Sequence, residues 1–163
     1  MIYYKSHLKE YEDLDQKKYL KWKKENVSYR GISKVGYENG GGAMLGSGLY
    51  TASLSNKKMA KGYGDLYFVV NAIPKHPKIF KTLNDWEIWH YNTLVTDFCK
   101  RNNIELDLRS FNKMTTIESE MLKLGFDGII ISGREIVNFK PKNVLYFKTE
   151  DEVKNYYRQT VNA

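Results

Sequence analysis

Apolar residues recur along this chain with two different periods. Leu8, Tyr11 and Leu14 lie at helical spacing, as do Tyr19 and Trp22, within an otherwise charged stretch. The spacing predicts a helix from Leu8 to about Glu25. Val27 to Ser33 reads as a short strand of mixed pattern, and Leu49 to Thr51 as another. Between them, Gly36 to Gly48 contains Gly40, Gly41 and Gly42 in a row, which is loop sequence. Ser53 or Ser55 stands where an N-cap is wanted, ahead of a helix through Lys57-Lys58-Met59-Ala60 that stops near Gly62. Asp65 to Ala72, with Leu66, Tyr67, Phe68, Val69 and Val70, is the clearest strand, and Pro74 and Pro77 end it.

Further along, Trp86, Trp89, His90, Leu94, Val95 and Phe98 fall on or near one face of a helix from Asn84 to about Arg101. A second helix is expected over Thr115 to Leu124, with Gly125 just past its end. Three strands follow: Gly128 to Ser132, Glu135 to Phe139 and Val144 to Phe147. Thr149 and Glu152 form a Thr-x-x-Glu box for a last helix through Tyr157. Helices come early and in the middle, and strands are concentrated late. That order predicts an α+β fold rather than a doubly wound parallel sheet.

The 163 residues suit a single domain. Its parts are a helical segment 1–26, a core 27–148 and a C-terminal helix and tail 149–163. A chain of this size buries roughly 68–70% of its unfolded surface without disulfide or metal staples. Cys99 is the one cysteine, and with three histidines beside it no dedicated zinc site is expected. The start of the chain has no apolar signal core, and no run is long enough to span a membrane. The expectation is a cytoplasmic protein, or one acting in a host cytoplasm after delivery, with no membrane partner.

The net charge of +7 favours anionic partners. Lys17, Lys18, Lys21, Lys23 and Lys24 cluster near the N-terminus, and a solvated helix face accounts for them equally well. The glycine-rich loop has neither the Gly-x-Gly-x-x-Gly context of a dinucleotide fold nor the Lys-Ser/Thr of a P-loop.

Four sites carry candidate chemistry. Arg30 offers a forked, permanent cation to phosphate or ribose oxygens, or makes an ordinary salt bridge. Gly31 leaves its backbone uncovered. Tyr50 and Tyr63 either pack in the core or stack on a flat ligand. Glu135 opens a strand and shares a face with Val137 and Phe139, as a cleft carboxylate or an edge charge. His90 reads as a core histidine between two tryptophans. Cys99, beside Lys100 and Arg101, has no evident base.

Three segments resemble the ADP-ribosyltransferase superfamily, including its small bacterial-toxin and bacteriophage members. They are Tyr29-Arg30-Gly31, Gly48-Leu49-Tyr50-Thr51-Ala52-Ser53 through Gly62-Tyr63, and Leu124-Gly125-Phe126-Asp127-Gly128-Ile129-Ile130 with Glu135-Ile136-Val137-Asn138-Phe139-Lys140-Pro141. The resemblance implies split antiparallel β-sheets with an NAD cleft and flanking helices. It implies NAD as the substrate, no metal, and a macromolecular target that is protein rather than nucleic acid. By it, Glu135 is catalytic, and Arg30, Gly31, Tyr50, Thr51, Ser53 and Tyr63 bind NAD. Gly133 stands two residues before Glu135, where arginine- or asparagine-modifying members carry Glu or Gln. NAD hydrolysis therefore stays open beside transfer, and so does a non-enzymatic basic protein- or RNA-binding module.

Overall fold

A computed structural model describes residues 2–32 and 44–161, with side chains from residue 14 onward. Helix α1 runs Ile2–Asn26, six residues earlier in its start than the apolar spacing predicts. Strand β1 (Val27–Ile32) follows directly. The predicted loop Gly36 to Gly48 falls outside the described residues up to residue 43. Then come β2 (Leu49–Ala52), α2 (Lys57–Lys61) and β3 (Asp65–Val70). Neither predicted serine caps α2: the cap is Asn56, whose side chain accepts from the Met59 amide.

Pro77 does not merely end a strand. It begins β4 (Pro77–Phe80). The predicted helix over 84–101 is one continuous run in three parts: α3 (Leu83–Trp89), a π-helical stretch His90–Val95 and α4 (Thr96–Arg101). Helix α5 (Leu108–Met114) was not signalled by the pattern. Helix α6 (Ile117–Lys123) starts behind a Thr116 cap, and Gly125 leaves it at φ 91°. Strands β5 (Gly128–Ile131), β6 (Glu135–Asn138) and β7 (Leu145–Phe147) lead to α7 (Glu150–Val161), capped by Thr149.

The fold is mixed α+β. Seven strands hydrogen-bond in the order β4-β5-β6-β2-β1-β3-β7. The expectation of purely antiparallel sheets needs one correction: β4 and β5 pair in parallel, Pro77 opposite Gly128 through Phe80 opposite Ile131. The connection from β4 to β5 carries α3 to α6, which gives it the length a parallel crossover requires.

Two cores form on one face of this sheet. Register places Phe80, Ile129, Ile131, Val137 and Tyr50 on that face. There they pack with Trp86, Leu94, Val95, Phe98, Phe111 and Met121 of the helices between β4 and β5. Val27, Phe68, Val70 and Phe147 lie on the same face by their pairings. They pack with Tyr19 and Trp22 of α1 and Val153 and Tyr157 of α7. Glu150 ties these two helices: its carboxylate accepts from Tyr19 Oη at 2.6 Å and from Lys23 Nζ at 2.8 Å. No described helix is long and apolar enough to cross a membrane.

Candidate active site at the split in the sheet

The sheet nearly divides in the middle. All four residues of β2 are in register with β6, and all six of β1 with β3. Yet among the described residues β1 and β2 share a single register pair, Tyr29 opposite Ala52. Antiparallel continuation would set Arg30 opposite Thr51 and Gly31 opposite Tyr50, and those pairs do not form. The strands part after Tyr29. One bank of the split is Arg30-Gly31-Ile32, and the other is Leu49-Tyr50-Thr51. Five of the seven sequence-predicted site residues border this split or its closed end: Arg30, Gly31, Tyr50, Thr51 and Glu135.

Glu135 sits at the closed end. It pairs with Ala52, so Tyr29, Ala52 and Glu135 form one row between the two cores. Its side chain is 13% exposed, and Arg134 Nε stands 3.8 Å from Oε1. That oxygen is buried and, among the described residues, accepts no hydrogen bond. Burial pushes the carboxyl above its ordinary value, and the Arg134 guanidinium pulls the other way. A buried carboxylate oxygen without a hydrogen bond is costly to the folded state.

Arg30 is 4% exposed and lies opposite Tyr67 of β3. Gly31 makes the closest backbone approach of the site. A Cβ there would lie 1.9 Å from the Ala60 carbonyl oxygen and 3.1 Å from the Gly64 amide nitrogen. Only glycine lets α2 and the turn after it settle onto β1. Tyr63, in that turn, is 68% exposed. Its ring stands in solvent rather than in a core.

Tyr50 is oriented otherwise. Its ring packs against the Trp86 core. Its hydroxyl donates to the Gly46 carbonyl and accepts from the Leu45 amide at 3.2 Å, which fixes the end of the loop entering β2. Thr51 is 5% exposed, and its hydroxyl is buried without a partner among the described residues. Ser53 donates its amide to the Arg134 carbonyl at 3.3 Å, and its hydroxyl lies 2.9 Å from that of Ser55. Ser55 in turn lies 3.7 Å from where a Gly133 Cβ would stand. Arg134 thus stands beside Glu135, and Ser55 stands beside Gly133, two residues away. Sequence reasoning gave neither a role at the site, because a serine and an arginine in turns carry no spacing signal.

Much of the third segment is structural. Asp127 accepts from the Lys75 and His76 amides at 3.0 and 2.8 Å, holding the entry to β4. Gly128 is required because a Cβ would meet the Val137 carbonyl at 2.3 Å. Gly133 takes φ 66° in the turn joining β5 to β6. His90 stacks on Trp86 at 5.0 Å and meets Phe111 edge-on at 5.8 Å; burial lowers its pKa. Cys99 is buried. No metal-ligand cluster of His, Cys, Asp and Glu occurs among the described residues. Comparison of the chain with protein-family models, curated proteins and solved structures gave no match.

Proposed function

We propose that this protein cleaves the nicotinamide–ribose bond of NAD and transfers ADP-ribose to a macromolecule. One observation carries the reading: a buried Glu135 oxygen without a hydrogen-bond partner among the described residues, at the row where their pairing joins the two halves of the sheet. Cleavage of this bond builds positive charge on the ribose. A fixed carboxylate that also accepts from the ribose 2′-hydroxyl stabilises that charge. The Thr51 hydroxyl, likewise unsatisfied among the described residues, lies on the face of β2 opposite to the Glu135 row and would meet a polar ligand only where that ligand passes through the split.

In this reading Arg30 holds a phosphate or ribose oxygen and the Gly31 backbone meets the carboxamide. Tyr63 folds its exposed ring over the nicotinamide. Tyr50 contributes the wall behind the ring, with its hydroxyl anchoring the loop end. Ser53 supports the turn that carries Glu135. The superfamily resemblance implies the same roles for Arg30, Gly31 and Glu135, with Tyr50 and Tyr63 sandwiching the nicotinamide.

Hydrolysis is the second reading, with water as acceptor. Gly133 favours it, since the position two before Glu135 offers no side chain to orient an acceptor. The test is nicotinamide release from NAD by the full chain. Glu135→Ala should abolish release while the circular dichroism spectrum stays native; unchanged release sinks the assignment. Labelled NAD with cell lysate then separates transfer from hydrolysis: label on a macromolecule indicates transfer, free ADP-ribose alone hydrolysis.

A further inference from the structure

The α2 segment, packed on Gly31 of β1, carries a cationic rim. Lys57, Lys58 and Lys61 are all exposed, and among the described residues none of them forms an ion pair. From Ser53 to Leu66 the one acidic residue is Asp65. The place of the rim is fixed at both ends. Ala60 lies against Gly31, and Ser55 lies against Gly133, two residues from Glu135. Arg134, 47% exposed, extends the positive charge to the carboxylate itself.

Two properties separate the possible partners. Among the described residues, Tyr63 is the one exposed large apolar side chain in the stretches 53–65 and 132–135, so the rim has no apolar centre. Protein interfaces are built around such a centre and are depleted of lysine. A phosphodiester strand needs neither, because successive lysines replace its condensed counterions.

We propose that this rim binds a single-stranded nucleic acid and delivers it as the acceptor of ADP-ribose. The acceptor role rests on the NAD-cleaving reading above. In the transfer, the C1″–N bond of NAD breaks and its electron pair leaves with neutral nicotinamide. A nucleophilic N or O of the strand bonds to C1″ and releases its proton to solvent.

Binding is measured without NAD, by fluorescence anisotropy of labelled single-stranded DNA and RNA of one mixed sequence, over a range of salt. The wild-type chain should bind at least one of them, with log affinity falling linearly in log salt. The triple variant Lys57→Ala, Lys58→Ala, Lys61→Ala should lose roughly 0.7 from that slope per lysine, about 2 in all. Its NAD hydrolysis should be unchanged. Absence of binding, a slope unaltered in the triple variant, or equal displacement by polyglutamate would overturn the rim. Labelled NAD is then added with the oligonucleotide, with Glu135→Gln as the blank. Label on the strand supports the acceptor role, whereas NAD consumption without it refutes that role alone. A wild-type chain that binds the strand but leaves NAD intact refutes the NAD reading and leaves the rim standing.

Discussion

Gly31→Ala tests how the site is built. The new Cβ would lie 1.9 Å from the Ala60 oxygen and 3.0 Å from its carbonyl carbon. Both are backbone atoms of α2, so no side-chain rotation relieves the clash. Ordinary contact near about 3.5 Å demands that α2 move away from β1 by more than about 1 Å. Such overpacking costs roughly 1–3 kcal/mol. For a chain of this size each kcal/mol lowers Tm by roughly 2–4 °C. The same displacement carries Tyr63 off the split, and a misplacement of about 1 Å can cost about 100-fold in rate. Urea titration gives the stability and nicotinamide release the turnover. Gly125→Ala is the control: it strains a φ of 91° but a Cβ there meets nothing within 4 Å. It should lose about 1–2 kcal/mol of stability with turnover intact. If Gly31→Ala unfolds and turns over like the wild type, the close packing of α2 on β1 has no role. If it loses stability alone, Tyr63 does not serve the reaction.

Three further outcomes are expected. Glu135→Gln should be more stable than the wild type at pH 7 yet inactive. The raised carboxyl keeps its proton longer in the folded chain than in the unfolded one. Its contribution is therefore full below the unfolded value near about 4.3 and is lost as pH rises through the folded value; a Gln variant no more stable at pH 7 than at pH 4, relative to wild type, contradicts this. Thr51→Val removes an unpartnered hydroxyl without changing volume, so urea stability should be equal or higher while the KM for NAD rises; an unchanged KM removes Thr51 from the site. Arg101→Ala deletes a 2.6 Å bond to buried Glu120, which keeps Thr115 Oγ1 at 2.7 Å and Lys123 Nζ at 3.1 Å. It should cost about 1–3 kcal/mol in urea titration, with turnover unaffected.

Strand and helix positions were largely legible because burial imposes period. Val69, Val70, Ile129, Ile131 and Val137 are buried where the pattern put them. Helix α5 escaped because Phe111 is its one buried residue, too few for a period to show. The π stretch escaped because Leu94 and Val95 stay buried whether the turn holds four residues or five. Strand β4 is four residues opening on a proline, and its parallel pairing depends on a crossover that no local signal encodes. At the site, the order of Arg30, Tyr50, Tyr63 and Glu135 was visible. The separate settings of the tyrosines were not, since Tyr50 owes its place to Gly46 and Leu45.

The single-pair joint between β1 and β2 also bears on how the molecule comes apart. The Trp86 core and the Tyr19 core are each built around complete strand ladders, and among the described residues one pair, Tyr29 with Ala52, links those ladders across the sheet. Free energy of opening need not be shared evenly across such a seam. Amide exchange should then resolve two cooperative blocks, with the amides of Arg30 to Ile32 on the β2 side exchanging ahead of both. A ligand bridging the banks would fuse the blocks into one, so its affinity becomes measurable as protection at residues it never touches.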